Sequence, residues 1–151
     1  MPDLDDVKRY LADETGLATV STTQADGRVQ SSIATNCGVI DHPLTGEPSV
    51  ALVSMGRAAR LNHVRRGSHV TIAIRRGWAW ISVTGPADLI GPADPADDVD
   101  AEALRLLLRE IYAAAGGTHD DLDEYDRVMA EDGRTAVLVS PDRIIGNAPT
   151  V

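Results

Sequence analysis

Short segments rich in β-branched residues recur along most of the chain, and turn signals containing glycine, proline or aspartate separate them. Segments of ~4–8 residues with this composition are typical of strands. The dipeptide Asp26-Gly27 is a strong hairpin-turn signal, and Arg76-Gly77 is also predicted to turn the chain. The predicted strands are Leu17–Thr22, Arg28–Thr35, Ser49–Ser54, Val70–Arg75, Trp78–Thr84, Ala136–Ser140 and Arg143–Gly146. This pattern favours antiparallel β-structure.

Two stretches between these strands contain strong turn or break signals. Ile40–Pro48 holds proline, glycine and aspartate, and we predict a turn-rich connection there. The dipeptide Gly85-Pro86 interrupts the strand that ends at Thr84. We expect Ala87–Ile90 to continue that same strand past a bulge.

Helical periodicity appears near both ends of the chain and once in the middle. Asp3 is the predicted N-cap of the first helix, because an aspartate there accepts bonds from free N–H groups. The predicted helices are Asp3–Glu14, Arg57–Arg66, Ala101–Ala115 and Asp123–Asp132. A chain of 151 residues corresponds to one domain at ~150 residues per domain. We therefore predict a single domain over 1–151 that is mainly β, a small β-barrel decorated by helices.

The composition argues against several classes of protein. The net charge of −9 disfavours nucleic-acid binding. No apolar run approaches the ~20 residues needed to cross a bilayer, and the acidic start at 1–6 does not resemble a signal peptide. Cys37 is the single cysteine, which fits a reducing compartment. We predict a cytoplasmic protein that binds neither nucleic acid nor membrane.

Positive charge is concentrated in one part of this acidic chain. From Pro48 to Ala87 there is no aspartate or glutamate, whereas this stretch holds six arginines. We call these six residues the arginine island; they are Arg57, Arg60, Arg65, Arg66, Arg75 and Arg76. Local clustering of cations predicts a small anionic ligand.

Motifs of several common enzyme classes are absent. The chain has no glycine-rich dinucleotide motif after a strand, no P-loop and no nucleophile elbow. Its four histidines lack zinc-site spacing, and the acidic run after His119 is explained equally well by a helix N-terminus, so no metal is predicted. Cys37 has no basic neighbour in sequence and is expected to be buried rather than nucleophilic. The lack of an obvious acid–base pair indicates chemistry carried by a cofactor.

Three groups of residues are candidates for holding such a cofactor. Arg57 and Arg60 are three apart at a predicted helix start, where they can clamp a phosphate or form a solvated helix face. Trp78 and Trp80 share one side of a predicted strand, where they can flank a flat ring or form an interior or subunit-contact face. The polar stretch Gln30–Ile33 can hydrogen-bond a heterocycle or face water.

Several segments, taken in their order along the chain, are similar to one known group of proteins. They are Leu17–Thr23, Asp26–Ser32, Gly56–Val70, Trp78–Ile90 and Ala115–Asp121, followed by Glu124–Asp126. With these segments the chain resembles the FMN-binding split-barrel flavin and deazaflavin oxidoreductases, the pyridoxamine 5′-phosphate oxidase-like superfamily. Within it, the chain is most similar to the actinobacterial F420-dependent (deazaflavin) oxidoreductase B group. The likeness covers nearly the whole chain.

The resemblance implies a six-stranded antiparallel split barrel with Greek-key topology that forms a homodimer. It places cofactors in grooves between the subunits, with the ring against Gln30–Ile33 and the phosphate on Arg57 and Arg60. The cofactor-binding residues that it implies are Gln30, Ser31, Ser32, Ile33, Ser54, Met55, Gly56, Arg57, Arg60, His63, Trp78 and Trp80. Two positions depart from the usual pattern, because His63 stands where asparagine is usual and Arg60 where lysine is common.

The function that the resemblance implies is that of an oxidoreductase. Reduced coenzyme F420 would pass hydride to an unsaturated or conjugated small-molecule acceptor, and its polyglutamate tail would be a second anionic target for the arginine island. Two alternatives stay open. One is an FMN-dependent oxidase or reductase of the same fold, and the other is a non-catalytic protein that carries or senses F420 or a flavin.

Overall fold

The computed structural model describes residues 1–147, which form nine strands and four helices. The strands are β1 (Ala18–Thr23), β2 (Val29–Ala34), β3 (Gly38–Asp41), β4 (Pro48–Ser54), β5 (Val70–Arg76), β6 (Ala79–Gly85), β7 (Ala87–Ile90), β8 (Thr135–Val139) and β9 (Arg143–Gly146). The helices are α1 (Leu4–Asp13), α2 (Ala59–Arg65), α3 (Ala101–Ala114) and α4 (Leu122–Glu131). Each predicted strand and helix has a counterpart, with ends shifted by a few residues. None of the helices within 1–147 is long and apolar enough to cross a membrane.

The strands form two antiparallel sheets that enclose the main hydrophobic core. One sheet has the order β2-β1-β5-β6-β9 and the other β3-β4-β8-β7. Val20 and Ile72 of the first sheet belong to the same buried cluster as Leu52 and Val137 of the second. The mainly β architecture with helical additions is therefore confirmed. The expected count of six strands is not confirmed, and the Greek-key topology and the homodimer stay predictions.

The four-stranded sheet is covered on its second face as well. Ala51 and Leu138 point away from the main core and form a second buried cluster with Leu108 and Ile111 of α3. Burial on both faces explains why β4 and β8 are almost continuously apolar. This arrangement holds the carboxyl end of β4, where the arginine island begins, on a rigid support.

Two predictions about the strands are wrong. Residues 40–41 lie in β3, a short edge strand paired with β4, and not in a turn-rich connection. A four-residue edge strand has too little periodicity to stand out beside the turn that follows it. Ala87–Ile90 does not continue β6, because as β7 it pairs with β8 in the other sheet. A side chain on Gly85, where the chain changes sheets, would overlap the carbonyl oxygen of Ser140.

Trp78 lies in a turn, whereas the sequence predicts it at the start of a strand. Arg76 pairs with Ala79, so Gly77 and Trp78 form the two-residue connection between β5 and β6. Gly77 has a φ of +60°, which matches the first position of a type II′ hairpin turn. Trp78 is 97% exposed at this tip. The two tryptophans therefore do not share one side of a strand.

The prediction that Asp3 caps the first helix is confirmed. The Asp3 carboxylate accepts a hydrogen bond from the backbone N–H of Asp6 at 3.0 Å, and Asp6 accepts from the backbone N–H of Asp3 at 2.9 Å. This reciprocal capping box stabilises the start of α1. The bond from the Asp3 backbone is the largest influence that lowers the pKa of Asp6.

An ion-pair cluster joins α3 to α4. The Asp126 carboxylate, with 14% of its side chain exposed, accepts from Arg109 Nε at 2.9 Å and from Arg105 Nη1 at 2.9 Å. The hydrogen bond from Arg109 is the main cause that lowers the pKa of Asp126, and Arg105 acts in the same direction. Asp126 therefore stabilises the helix pair only while it is ionised.

We expect the free energy of unfolding to fall at acid pH in part because Asp126 becomes protonated. A carboxyl group with a lowered folded-state pKa stabilises the fold above its unfolded pKa of ~3.9, and this contribution is lost as pH falls through the folded pKa. Replacing Asp126 with asparagine should lower stability near neutral pH and flatten the decline below about pH 4. Urea denaturation across this range measures both effects.

Asp123 provides the matched control for this substitution. Its side chain is fully exposed and lies 3.8 Å from Arg109 Nη2, so Asp123→Asn should leave the stability close to that of the wild type. Identical acid profiles for the wild type and Asp126→Asn would contradict the expected role of Asp126.

Candidate functional site

An open cleft of about 280 Å³ lies where β2, the end of β4 and the start of α2 meet. Five of the residues expected to bind a cofactor line it, and they come from all three of these elements and from the turn between β4 and α2. The five are Ile33, Ser54, Met55, Arg57 and Arg60. The structure thus brings the polar strand β2 and the start of the arginine island to one place.

Contact between two glycines shapes this cleft. The backbone N–H of Gly56 donates to the carbonyl of Asp132 at 3.2 Å. A Cβ on Gly56 would lie 2.5 Å from the carbonyl oxygen of Gly133, which itself has a φ of +60°. Glycine at both positions allows the turn before α2 to pack against the turn after α4. Arg134, which follows Gly133, is thereby placed in the same cleft as Arg57.

Arg57 is not part of α2, contrary to the sequence prediction. The helix begins at Ala59 with Ala58 as its N-cap, so Arg57 and Arg60 do not form a pair on one helical face. Both still line the cleft, because the turn after Gly56 directs Arg57 toward it. The tertiary fold, and not the helical spacing, brings the two guanidinium groups together.

Arg60 joins the cleft to the inner side of β2. Its Nη2 donates to Ser32 Oγ at 2.7 Å. Ser32 pairs with Val20, whose side chain is in the core, so Ser32 lies on the inner face of its strand. Partial burial lowers the pKa of Arg60, although an arginine stays protonated at any physiological pH. Arg60 is therefore a fixed positive charge held in one orientation.

Acidic residues from outside the arginine island neutralise some of its members. Arg65 Nε donates to Asp94 at 2.9 Å, and this bond is the main cause that raises the pKa of Arg65. Arg76 pairs with Asp13 at 2.8 Å and packs over the ring of Tyr10. The stretch 48–87 contains no acid, but the fold brings acidic residues from other parts of the chain next to the arginine island.

Two arginines of the cleft, Arg57 and Arg60, have no carboxylate partner among residues 1–147. Among residues 1–147, neither Arg57 nor Arg60 has an aspartate or glutamate oxygen within 4.0 Å. Guanidinium groups in this state are suited to bind an oxyanion.

Two buried polar atoms of the cleft have no hydrogen-bond partner. They are Ser54 Oγ and Arg134 Nε, and they are the only buried side-chain atoms of this kind within residues 1–147. Arg134 Nε lies 3.4 Å from an Asp132 oxygen as an ion pair without a hydrogen bond. The sequence prediction missed Arg134 because it lies far from the arginine island and belongs to no motif.

Several residues on the expected list lie outside the cleft. Ser31 is on the opposite face of β2 from Ser32, with its hydroxyl 2.7 Å from that of Ser21. His63 is buried, and its Nδ1 lies 2.8 Å from Thr22 Oγ1. Gln30 pairs with Thr22 on β1. The stretch 30–33 therefore faces two sides of the sheet and does not form one continuous surface.

The tryptophans lie at a different part of the molecule. Trp80 is on the outer face of the five-stranded sheet, opposite Arg75 in the register, and is 39% exposed. Trp78 projects from the turn before it. Within one chain, neither contributes to the cleft that holds Arg57 and Arg60.

The prediction that Cys37 is a buried side chain is confirmed. It is 0% exposed, and burial raises the pKa of its thiol to about 12. Such a thiol is protonated at neutral pH and is a poor nucleophile. Within residues 1–147, no group of three or more histidine, cysteine, aspartate or glutamate side chains is arranged to hold a metal ion.

Comparison with known proteins identifies the fold. No protein-family model matches the sequence. A conserved hypothetical protein, Rv2991, from Mycobacterium tuberculosis is 17% identical, with a TM-score of 0.68 over 100% of this chain and 91% of that one. A Lactobacillus delbrueckii protein provisionally assigned as a pyridoxamine 5′-phosphate oxidase is 14% identical, with a TM-score of 0.54 over 91% and 90%. An F420 reductase is 12% identical, with a TM-score of 0.54 over 85% and 88%.

These similarities place the chain in the fold shared by pyridoxamine 5′-phosphate oxidase-like proteins. The same fold occurs in a heme-binding protein from Mycobacterium smegmatis, which is 17% identical, with a TM-score of 0.58 over 97% of this chain and 54% of that one. At such identities the likeness establishes architecture and not activity. The choice of cofactor has to rest on the cleft itself.

Proposed function

We propose that this protein is an oxidoreductase that uses reduced coenzyme F420, and that the cleft at Arg57, Arg60 and Ser54 binds the phosphate of the cofactor. The observation that carries the proposal is the charge of this cleft. Arg57 and Arg60 line it with no carboxylate within 4.0 Å among residues 1–147. A phosphate would supply the anionic oxygen acceptors that these guanidinium groups lack.

The donors of the cleft fit a phosphate group. Ser54 Oγ is buried without a hydrogen-bond partner in the described chain, and the side chain of Arg60, which lines the cleft, is anchored by its bond to Ser32. When bound, reduced F420 supplies a hydride for an unsaturated or conjugated organic acceptor. In this scheme Arg57 and Arg60 bind and orient the cofactor, while Ile33 and Met55 provide apolar surface around it.

A homodimer in the cytoplasm is part of this proposal. Hydrophobic side chains are exposed on the outer face of the five-stranded sheet, where a second copy would cover them. They are Val29, Ile33, Trp80 and Ile145. In a dimer, Trp78 and Trp80 would reach a cofactor from the partner subunit.

FMN is the alternative cofactor. Its phosphate would suit Arg57 and Arg60 equally well. The wider arginine island is the feature that favours F420, and ion pairs at Arg65 and Arg76 weaken it as a site for an acidic tail. A protein provisionally assigned as a pyridoxamine 5′-phosphate oxidase shares the fold.

A non-catalytic carrier or sensor is the second alternative. No carboxylate, imidazole or thiol lines the part of the cleft that residues 1–147 form. An enzyme of this kind would take its proton from solvent or from a group that the partner subunit supplies. The lack of an acid–base pair in the cleft is therefore compatible with an enzyme and with a carrier or sensor. An activity assay separates these two functions.

The first experiment is a titration of the purified protein with F420 and, separately, with FMN, followed by fluorescence and its polarisation. We expect saturable F420 binding that weakens with added salt, because arginine–phosphate contacts are screened. Tight FMN binding with no response to F420 would reject the leading proposal. A heme titration followed by absorbance serves as the control for the third cofactor known in this fold.

The second experiment tests for turnover. Reduced F420 is mixed with the protein and a panel of quinones, enones and tetrapyrroles, and its oxidation is followed. Oxidation that depends on both protein and acceptor is the expected result. Binding of F420 without oxidation by any acceptor in the panel would favour the carrier function.

A further inference from the structure

Ser54 and Arg134 are neighbours at the place where β4 and β8 reach the cleft. Ser54 pairs with Thr135 across the sheet, and Arg134 is the residue before Thr135. Both residues line the cleft together with Arg57 and Arg60. A strand end and a turn that is far away in sequence thus contribute a serine and an arginine to the same cleft, and Arg134 also lines a neighbouring cavity beside Asp126.

Within residues 1–147, the buried atoms Ser54 Oγ and Arg134 Nε are left without hydrogen-bond partners. Buried donors are nearly always satisfied in folded proteins, so an unsatisfied pair at one site calls for an explanation. Elsewhere in the described chain, other buried polar side chains do have partners, as Thr22 and His63 do for each other. Both exceptions lie in the cleft that also holds Arg57 and Arg60, which have no carboxylate partner in the described chain.

We propose that Arg134 is an anion-binding residue of this cleft and that it acts together with Ser54 on the oxygen atoms of a phosphate group. The inference rests on the proposed function, since it concerns the same cleft. It extends that function by adding a third arginine that neither the sequence motifs nor the resemblance indicates. The ligand class is an organic phosphate, held by arginines from two distant segments of the chain and by one neutral hydroxyl.

The position of Arg134 suits this role. Gly133 packs against Gly56, and β8 pairs with β4 through five residue pairs, so the base of the Arg134 side chain is fixed relative to Ser54. Donors held in place before the ligand arrives lose little conformational freedom on binding. The Asp132 carboxylate, 31% exposed, lies 3.4 Å from Arg134 Nε and does not satisfy that donor.

Ser54→Ala is the most discriminating variant. Because Ser54 Oγ has no hydrogen-bond partner in the described fold, its removal should leave the melting temperature unchanged or raise it. The affinity for F420, or for FMN if that is the ligand, should nevertheless fall by roughly fivefold to tenfold. A residue with a purely structural role would not give this combination.

Arg134→Gln tests the charge, and Arg127→Gln is the matched control. Arg127 lies on the neighbouring helix α4, pairs with Glu124 and Glu131, and is outside the cleft. Loss of a charge-assisted contact should weaken cofactor binding about 10- to 100-fold in Arg134→Gln and leave Arg127→Gln within about twofold of the wild type. If Arg60→Ala loses binding while Ser54→Ala and Arg134→Gln keep wild-type affinity, this inference is rejected and the proposed function stands.

Inorganic pyrophosphate gives a test that does not depend on the identity of the cofactor. It should raise the melting temperature of the wild type and of Arg127→Gln, and much less that of Arg134→Gln. This result would support the anion site even if neither F420 nor FMN binds, in which case only the proposed function fails. Equal shifts in all variants, or no shift in any, would overturn the assignment of Arg134.

Discussion

Replacing Arg60 with alanine is expected to weaken cofactor binding by about 1.5–3 kcal/mol, the range for hydrogen bonds to charged groups. Arg60 lines the cleft, donates a 2.7 Å bond to Ser32 and has no carboxylate partner within 4.0 Å among residues 1–147. Its contact with phosphate would therefore replace no internal ion pair. The measurement is the dissociation constant for F420, and for FMN, by fluorescence polarisation.

Two further variants make this result specific. Arg60→Lys keeps the charge but not the planar fork, so it should recover part of the affinity if geometry matters as well as charge. Arg66→Ala removes an exposed arginine near the end of the same helix, outside the cleft, and should leave binding almost unchanged. Wild-type affinity in Arg60→Ala would remove Arg60 from the site.

Gly56→Ala is expected to have the largest effect on stability among the substitutions near the cleft. The added Cβ would lie 2.5 Å from the carbonyl oxygen of Gly133, which belongs to the backbone and cannot rotate away as a flexible side chain could. Forcing extra atoms into such a contact costs about 1–3 kcal/mol and sometimes more. Because this contact also sets the position of Arg134, cofactor affinity should fall together with stability. Urea denaturation and the F420 titration measure the two effects.

Gly46→Ala is the matched control for Gly56→Ala. Gly46 has a φ of +75°, and a Cβ there would meet nothing within 4 Å. Its replacement should cost only the backbone strain of about 1–2 kcal/mol and leave cofactor binding unchanged. If Gly56→Ala binds F420 as the wild type does, the packing of Gly56 against Gly133 does not shape the site.

Elements with a clear local signal could be predicted well. The capping residue Asp3 and the turn at Asp26-Gly27 were identified from residue type alone, since caps and tight turns depend on a few neighbouring residues. The strand β3 was missed because its four residues are too few to establish a period. The sequence predicts Trp78 in a strand because it places the turn one residue too early, at Arg76-Gly77 instead of Gly77-Trp78.

The candidate site was predictable only in part. Arg57 and Arg60 were identified by charge clustering, and the structure brings both to one cleft. The helical face proposed to join them does not exist, because α2 begins at Ala59. Nothing in the sequence marks Arg134 as a binding residue, since its neighbours are an aspartate, a glycine and a threonine that form no motif. The pairing of β8 with β4 and the contact between Gly56 and Gly133 place it beside the others.

The sequence by itself determined most of the strands and turns and the cluster of arginines, because each depends on residues that are close along the chain. Only the tertiary structure decided which arginines remain without an acidic partner. Asp94 and Asp13 reach Arg65 and Arg76 from outside the island, whereas no acid of the described chain reaches Arg57 or Arg60. Charge neutralisation depends on distance in space, and the pairing of the sheets sets that distance. Although its net charge is −9, the chain thus keeps positive charge at this cleft.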